Sequence, residues 1–128
     1  MTLTTVLLAV ALAVALAGAV LTTVQTGLAV RRVSILKPLS GLDDGLEENL
    51  ASFAVLTGVS HEIILSVAHE DDPAVAVARR VIDRFPAAPF RLVLGGGPSV
   101  LLSNPKVERL VVAARVARGE ILFVSDSN

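Results

Sequence analysis

Short apolar runs alternate with amphipathic segments throughout the second part of this chain. Four runs have the length and the β-branched composition of buried strands, at residues 33–36, 62–67, 90–94 and 121–124. Three segments between them repeat apolar residues at the spacing of a helix face. This order predicts an α/β fold in which a parallel sheet carries helices on both faces. Because the chain halts soon after the fourth run, we expect a truncated domain.

Capping residues predict where the first two of these helices lie. Asp43 or Asp44 is suited to cap the first helix, and Gly58 is suited to end it. Asp72 is suited to cap the second helix, and Pro73 is suited to its first position. Proline has no N–H, but the N–H of a first helical residue makes no hydrogen bond within the helix.

The third helix is expected to follow the pair Asn104-Pro105 and to end near Gly119. Its predicted inward residues are Val107, Leu110, Val111 and Ala114. Pro38 is expected to end the first strand, and the glycine-rich run 95–98 is expected to form a turn between a strand and a helix.

A long uncharged stretch precedes this pattern. Residues 3–30 contain no Asp, Glu, Lys or Arg, and as a helix they would rise about 42 Å, more than a hydrocarbon core of roughly 30 Å. A cleaved signal peptide is the alternative, with Ala17-Gly18-Ala19 as its cleavage site. No basic residue precedes the stretch, however, and it is about twice the usual length of a signal core. We therefore predict a transmembrane helix with a basic flank at residues 1–31 and a separate domain at residues 32–128.

The basic residues Arg31 and Arg32 directly follow the uncharged stretch, and none precedes it. This asymmetry predicts that the domain faces the cytoplasm. We expect a single-span protein of the bacterial inner membrane. The absence of cysteine permits a reducing compartment.

Charge and aromatic content argue against one class of partner. The formal net charge is −1, and the chain has no Trp and no Tyr. Without a basic stripe or an aromatic platform, the sequence predicts no binding of nucleic acid.

Acidic residues follow the second and fourth predicted strands. Glu70, Asp71 and Asp72 come after the second, and Asp126 comes after the fourth. The carboxyl ends of parallel strands meet at the edge of a sheet where ligands bind, and carboxylates there suit a divalent cation with a phosphorylated ligand. Lys106, near the start of the third helix, is either a contact to phosphate or a solvated side chain.

Five motifs, in order, resemble the N-terminal part of ceramide glucosyltransferases. They are Val33-Ser34-Ile35-Leu36-Lys37-Pro38-Leu39-Ser40-Gly41, Glu48-Asn49-Leu50-Ala51-Ser52-Phe53, Asp71-Asp72-Pro73-Ala74, Asn104-Pro105-Lys106-Val107 and Ser125-Asp126-Ser127. That family consists of membrane-anchored, inverting, nucleotide-sugar transferases with a GT-A fold. Bacterial hopanoid-associated glycosyltransferases share much of the pattern, so the acceptor lipid stays open.

The resemblance implies that residues 32–128 form the Rossmann-like, nucleotide-binding half of a GT-A domain. It implies that Asp72 contacts the nucleotide and that Asp126 holds a divalent cation, Mg²⁺ or Mn²⁺, and the sugar nucleotide. With Lys106, these are the expected donor-binding residues. The donor would be a UDP-sugar such as UDP-glucose, and the acceptor a membrane lipid such as ceramide.

The sequence also departs from the family. His69 stands where the family has an Asp, and the expected catalytic base and a Gln-x-x-Arg-Trp motif lie beyond Asn128. No catalytic residue is therefore predicted within the chain, and we expect the chain alone to be inactive. Asp72 as a simple helix cap, and the whole chain as a non-catalytic, membrane-tethered α/β module, are the alternatives.

Overall fold

The computed structural model describes residues 2–29, 31–95 and 104–126, with the backbone alone described at residues 20–29. By compactness the chain divides into two units, Met1–Val30 and Arg31–Asn128. The first unit is one helix, α1 (Leu3–Ala29). Most of the predicted turn at 95–98 and the motif residue Ser127 lie outside the described residues.

Helix α1 agrees with the helical part of the prediction for the uncharged stretch. Within the described part of the chain, however, no helix is both long enough and apolar enough to cross a membrane. The transmembrane span predicted at residues 1–31 is therefore not supported by the structure.

The second unit alternates strands and helices as predicted. Its elements are β1 (Val33–Leu39), α2 (Leu46–Phe53), β2 (His61–Val67), α3 (Pro73–Arg84), β3 (Phe90–Leu94), α4 (Pro105–Val116) and β4 (Ile121–Val124). The four strands form one parallel sheet in the order β3-β2-β1-β4. The prediction of an α/β fold with a parallel sheet is confirmed.

The helices cover both faces of the sheet, because alternate strand residues point to opposite faces. On one face, Ile35 and Leu39 of β1 join a core with Leu50 of α2 and the apolar side of α3. On the other face, Leu36 packs with Ala113 of α4. The two central strands, β1 and β2, are therefore buried on both faces, as in a doubly wound sheet.

β1 continues through Pro38 to Leu39, so the prediction that Pro38 ends this strand was wrong. The Leu36 carbonyl accepts a hydrogen bond from the Ser125 N–H (3.0 Å) on the β4 side. Pro38, two residues on, directs its backbone to the same side, but pairing with β4 stops at Leu36. The missing N–H of Pro38 therefore removes no hydrogen bond from the sheet.

The cap predicted for α2 was also wrong. Gly45 is the N-cap, with a left-handed φ of 75°, and no side chain caps the helix. The Asp43 contribution is its backbone carbonyl, which accepts from the Leu46 N–H (3.1 Å). A turn that glycine adopts without steric cost starts this helix, and the helix ends at Phe53, before Gly58.

Helix α4 begins where predicted, and two of its predicted inward residues, Leu110 and Ala114, pack against the core on its side of the sheet. Glu108 and Ala113 are its buried residues, whereas Val107, predicted to point inward, is 39% exposed. Hydrophobic periodicity alone places Val107 inside. Leu110, Ala113 and Ala114 of α4 pack against the sheet, and Glu108 is buried outside that cluster.

Strand β4 lies at an edge of the sheet and is exposed along its length. Its four residues are between 44% and 56% exposed, although the sequence predicts a buried strand. β4 pairs only with β1 among the described residues. The described residues of the domain, 31–95 and 104–126, therefore leave the apolar side chains of β4 largely uncovered.

Candidate functional site

The strand order reverses between β1 and β4, and we call the space beyond the carboxyl ends of these two strands the crevice. Chain order runs from β1 through β2 to β3 on one side of β1, and β4 then pairs with the opposite side of β1. In open α/β sheets, ligands bind beyond the carboxyl ends of the strands at such a reversal. Three side chains surround this crevice: Lys37 near the end of β1, Asp126 just after β4, and Lys106 in the first turn of α4.

Lys37 is completely buried, although it is charged. Its ammonium donates a hydrogen bond to the backbone carbonyl of Asp126 (3.3 Å) and lies 5.0 Å from the centre of the Phe53 ring. Burial lowers the pKa of Lys37, and the nearby Asp126 carboxylate opposes part of that effect. The Lys37 side chain therefore lies directly beneath the loop that follows β4.

Lys106 pairs with Asp126 across the crevice. The Asn104 side chain caps α4 by accepting from the Lys106 N–H (3.0 Å), which places Lys106 in the first helical turn. The Lys106 ammonium then forms an ion pair with the Asp126 carboxylate. Both side chains are half-exposed, and a pair of this kind contributes only about 0–1 kcal/mol. A bound ligand can therefore displace either partner at little cost.

Asp72 lies beyond β2, and its carboxylate accepts hydrogen bonds from two backbone N–H groups. Its Oδ1 accepts from the N–H groups of Ala74 and Gly41 (both 2.9 Å), and its Oδ2 accepts from the Gly41 N–H as well (3.2 Å). The predicted N-cap role is confirmed. Asp72 also ties the start of α3 to the loop after β1.

The structure brings Lys106 and Asp126 together but leaves Asp72 apart from them. β2 and β4 flank β1 on opposite sides, so the loops that carry Asp72 and Asp126 are separated by two strand spacings, roughly 10 Å. The described site thus has two parts, an Asp72 loop on one side of the β1 end and a Lys37–Asp126–Lys106 group on the other.

A family model decides how this chain is related to known proteins. The model of Glycosyl transferase family 21 matches residues 2–128, almost the full length. This chain belongs to glycosyl transferase family 21. The resemblance to ceramide glucosyltransferases found in the sequence is confirmed.

Curated relatives of this family 21 chain are similar over about three quarters of it. Ceramide glucosyltransferase 1 of Caenorhabditis elegans is 35% identical over 95 residues, which are 74% of this chain and 20% of the relative. Ceramide glucosyltransferase of Komagataella phaffii is 33% identical over 101 residues, 77% of this chain and 20% of the relative. That of Gibberella zeae is 30% identical over 112 residues, 81% and 21% of the two chains. The chain spans about a fifth of the length of the curated relatives it matches.

The donor atoms of the candidate site suit a cation that is shared with a phosphorylated ligand. No group of three or more His, Cys, Asp or Glu side chains that could hold a metal occurs in the described ranges. Asp126 supplies one carboxylate, and Mg²⁺ commonly takes one or two protein carboxylates and completes its shell with phosphate oxygens and water. The carboxylate of Asp126 therefore fits a cation that a diphosphate also holds.

Two features of the family 21 domain were missed by sequence reasoning. The first is the complete burial of Lys37, because in the sequence Lys37 is only a basic residue close to the end of a strand. Its signal was a lysine within the run Ile35-Leu36-Lys37-Pro38-Leu39, where a strand buried on both faces has no exposed position. The second is a buried network around Glu62, at the amino end of the sheet, for which no motif gives a signal.

Proposed function

We propose that this chain forms part of the donor-binding half of a glycosyltransferase that transfers glucose from UDP-glucose to ceramide or a similar lipid. Family membership and the names of the curated relatives support this proposal. The acceptor class rests on those names, and the donor sugar rests on the word glucosyltransferase in them. The activity is proposed for the protein in its longest natural form.

The observation that carries the proposal is the grouping of Lys37, Lys106 and Asp126 at the carboxyl ends of β1 and β4. A UDP-sugar presents two phosphates at the point where its leaving group departs. Lysine ammonium groups attract phosphate oxygens, and a carboxylate beside them suits a cation that the diphosphate carries in. This combination serves an anionic ligand better than a neutral one.

Asp72 contributes to the nucleotide side by an indirect route. Its carboxylate oxygens already accept backbone N–H groups, so its first effect is to fix the loop at Gly41 against the start of α3. That loop borders the end of β1. We assign Asp72 the task of shaping the wall against which the nucleotide lies.

A divalent cation, when bound, would be held by Asp126 together with the diphosphate, and it would supply Lewis-acid stabilisation of the departing phosphate. When the cation is bound to Asp126, the ion pair between Lys106 and Asp126 would open, and the Lys106 ammonium would be available to a phosphate oxygen. Lys37 stays buried beneath the loop. In the proposed inverting reaction, the acceptor oxygen bonds to the anomeric carbon, the base expected beyond Asn128 takes the hydroxyl proton, and the bond from that carbon to the phosphate oxygen breaks so that UDP leaves.

The test compares Asp126→Ala with Asp71→Ala in the longest natural form of the protein. Transfer of labelled glucose from UDP-glucose to ceramide in detergent micelles is the readout. We expect Asp126→Ala to lower the rate by roughly a hundredfold or more, the size of one lost electrostatic contact in a transition state. Asp71 is exposed, so its variant is the matched control and should keep its activity.

Thermal unfolding of each variant separates a chemical effect from a loss of fold. Near-normal transfer by Asp126→Ala, at an unchanged melting temperature, would contradict the proposed donor site. We also expect the 128-residue chain alone to show no transfer, because the base is expected beyond Asn128.

A further inference from the structure

Lys37 occupies a position in the fold that core stability does not explain. It shares a face of β1 with Ile35 and Leu39, and in the sheet it is paired in register with Leu65. All of its side chain is buried. A methionine fills a similar volume without the cost of taking a charge out of water, so a lysine here weakens the core unless the charge has another use.

The contacts of its ammonium point towards the crevice. The group can donate three hydrogen bonds. Its described partners are the Asp126 carbonyl and the ring of Phe53, and the second is an attraction to a π face that uses no acceptor oxygen. The main chain that Lys37 holds is the segment that carries the Asp126 carboxylate.

We propose that Lys37 is a positioning residue of the donor site: its buried ammonium fixes the main chain at Asp126 and supplies a positive charge beneath the donor diphosphate. This inference rests on the proposed function, since it assumes that a nucleotide diphosphate occupies the crevice.

The two lysines of the site would then have different tasks. Lys106 is half-exposed, pairs with the Asp126 side chain and can exchange that partner for a ligand. Lys37 has no access to solvent and holds a backbone atom, so its charge stays in place whether or not a ligand is bound. A fixed charge in a poorly solvated position acts on a nearby anion more strongly than an exposed charge does.

The experiment measures binding of UDP and of uridine to the 128-residue chain by NMR titration. The variant is Lys37→Met, which keeps the volume of the side chain and removes its charge. We expect UDP to bind roughly tenfold more weakly to Lys37→Met, and uridine to bind as it does to the wild type. The amide signals of Ser125 and Asp126 should also shift in the free variant, because their main chain loses its partner.

The matched control is Arg115→Met, which removes the same charge from an exposed position in the last turn of α4, at the opposite end of the sheet. It should leave both affinities unchanged. If Lys37→Met lowers the affinity for UDP and uridine equally, or for neither, the positioning role is wrong. If the wild-type chain binds no UDP, both this inference and the proposed function fail. If the wild type and Lys37→Met bind UDP equally well, the inference alone fails.

Chemical rescue keeps the test decisive if Lys37→Met folds poorly. The chain has no cysteine, so Lys37→Cys can be alkylated with 2-bromoethylamine while unfolded and then refolded, which restores an ammonium at the same position. We expect the aminoethylated protein to recover the preference for UDP over uridine, and a neutral carbamidomethyl product to lack it. Equal preference in the two products would overturn the proposal.

Discussion

At the scale of single residues, the buried polar side chains distinguish the two ends of the sheet. Glu62 lies at the amino end, is 1% exposed and accepts three hydrogen bonds, whereas Lys37 lies towards the carboxyl end and donates one hydrogen bond within the described part of the chain. The bonds to Glu62 come from the Ser34 hydroxyl (2.7 Å), the Arg118 N–H (2.6 Å) and the Arg91 guanidinium (3.1 Å). A buried charged group whose hydrogen bonds are satisfied indicates a structural role. A buried charged group with few hydrogen bonds beside a crevice indicates a functional role.

The Glu62 network makes stability depend on pH. Burial by itself would raise the pKa of the Glu62 carboxyl, but the hydrogen bonds from Ser34 and Arg118 and the Arg91 guanidinium outweigh burial and lower that pKa below its ordinary value of 4.5. A carboxyl whose pKa is lowered by folding stabilises the folded state above the unfolded pKa. That stabilisation is lost as the pH falls through the lowered, folded-state pKa.

We predict that Glu62→Gln lowers the free energy of unfolding at neutral pH by about 1–3 kcal/mol and weakens its decline below about pH 4.5. Urea unfolding of wild type and variant between about pH 7 and pH 3 measures both effects. The exposed Glu48 in α2 gives the control, Glu48→Gln, which should follow the wild-type curve. Equal pH dependence of wild type and Glu62→Gln would show that this network does not couple protons to folding.

At the scale of elements, one glycine determines how α4 connects to β4. The Gly119 N–H donates to the Ser34 hydroxyl (2.8 Å), and a Cβ at this position would lie 2.6 Å from the Ser34 nitrogen and 2.7 Å from the Arg32 carbonyl oxygen. Both of those atoms belong to the backbone where β1 begins, and β1 is paired with a strand on each side. The connection can therefore pass this close to β1 only without a side chain.

We predict that Gly119→Ala destabilises the chain by about 1–3 kcal/mol or more, because the backbone of β1 cannot move aside as a flexible side chain would. Urea or thermal unfolding followed by near-UV and far-UV circular dichroism measures the loss. Gly18→Ala adds the same methyl group in α1, where nothing lies within 4 Å, and should not destabilise the protein. Wild-type stability of Gly119→Ala would mean that the connection takes another path.

At the scale of the whole molecule, β4 is both the wall of the candidate site and an exposed apolar edge. Phe123, in its centre, is 56% exposed and belongs to a run of four apolar residues. Unpaired, apolar edge strands promote association between molecules. The 128-residue chain should therefore associate through this edge as its concentration rises.

We predict that Phe123→Lys reduces this association and changes the free energy of unfolding by about 0.5 kcal/mol or less, since little burial is lost. Light scattering across a concentration series tests the first part, and urea unfolding tests the second. Thr57→Lys adds the same charge at an exposed loop remote from β4 and should leave association unchanged. If both variants reduce scattering equally, net charge and not the β4 edge controls association.

The sequence by itself determined the alternation of elements, the bounds of β3 at Phe90 and Leu94, and the Asp72 cap of α3. Periodicity, β-branching and capping act over a few residues, so they are visible in a short window of sequence. Family motifs also placed Asp126 after the fourth strand. These local features indicated the edge of the sheet where a ligand would bind.

Only the tertiary structure decided that β4 pairs with β1. Strand order depends on contacts between residues that are far apart in the chain, and local patterns carry no record of them. That one pairing creates the crevice, leaves β4 exposed and brings the Asp126 carbonyl over the ammonium of Lys37. The identity of a site residue was local information, whereas its burial, its partners and its distance from other residues came from the packing of the sheet.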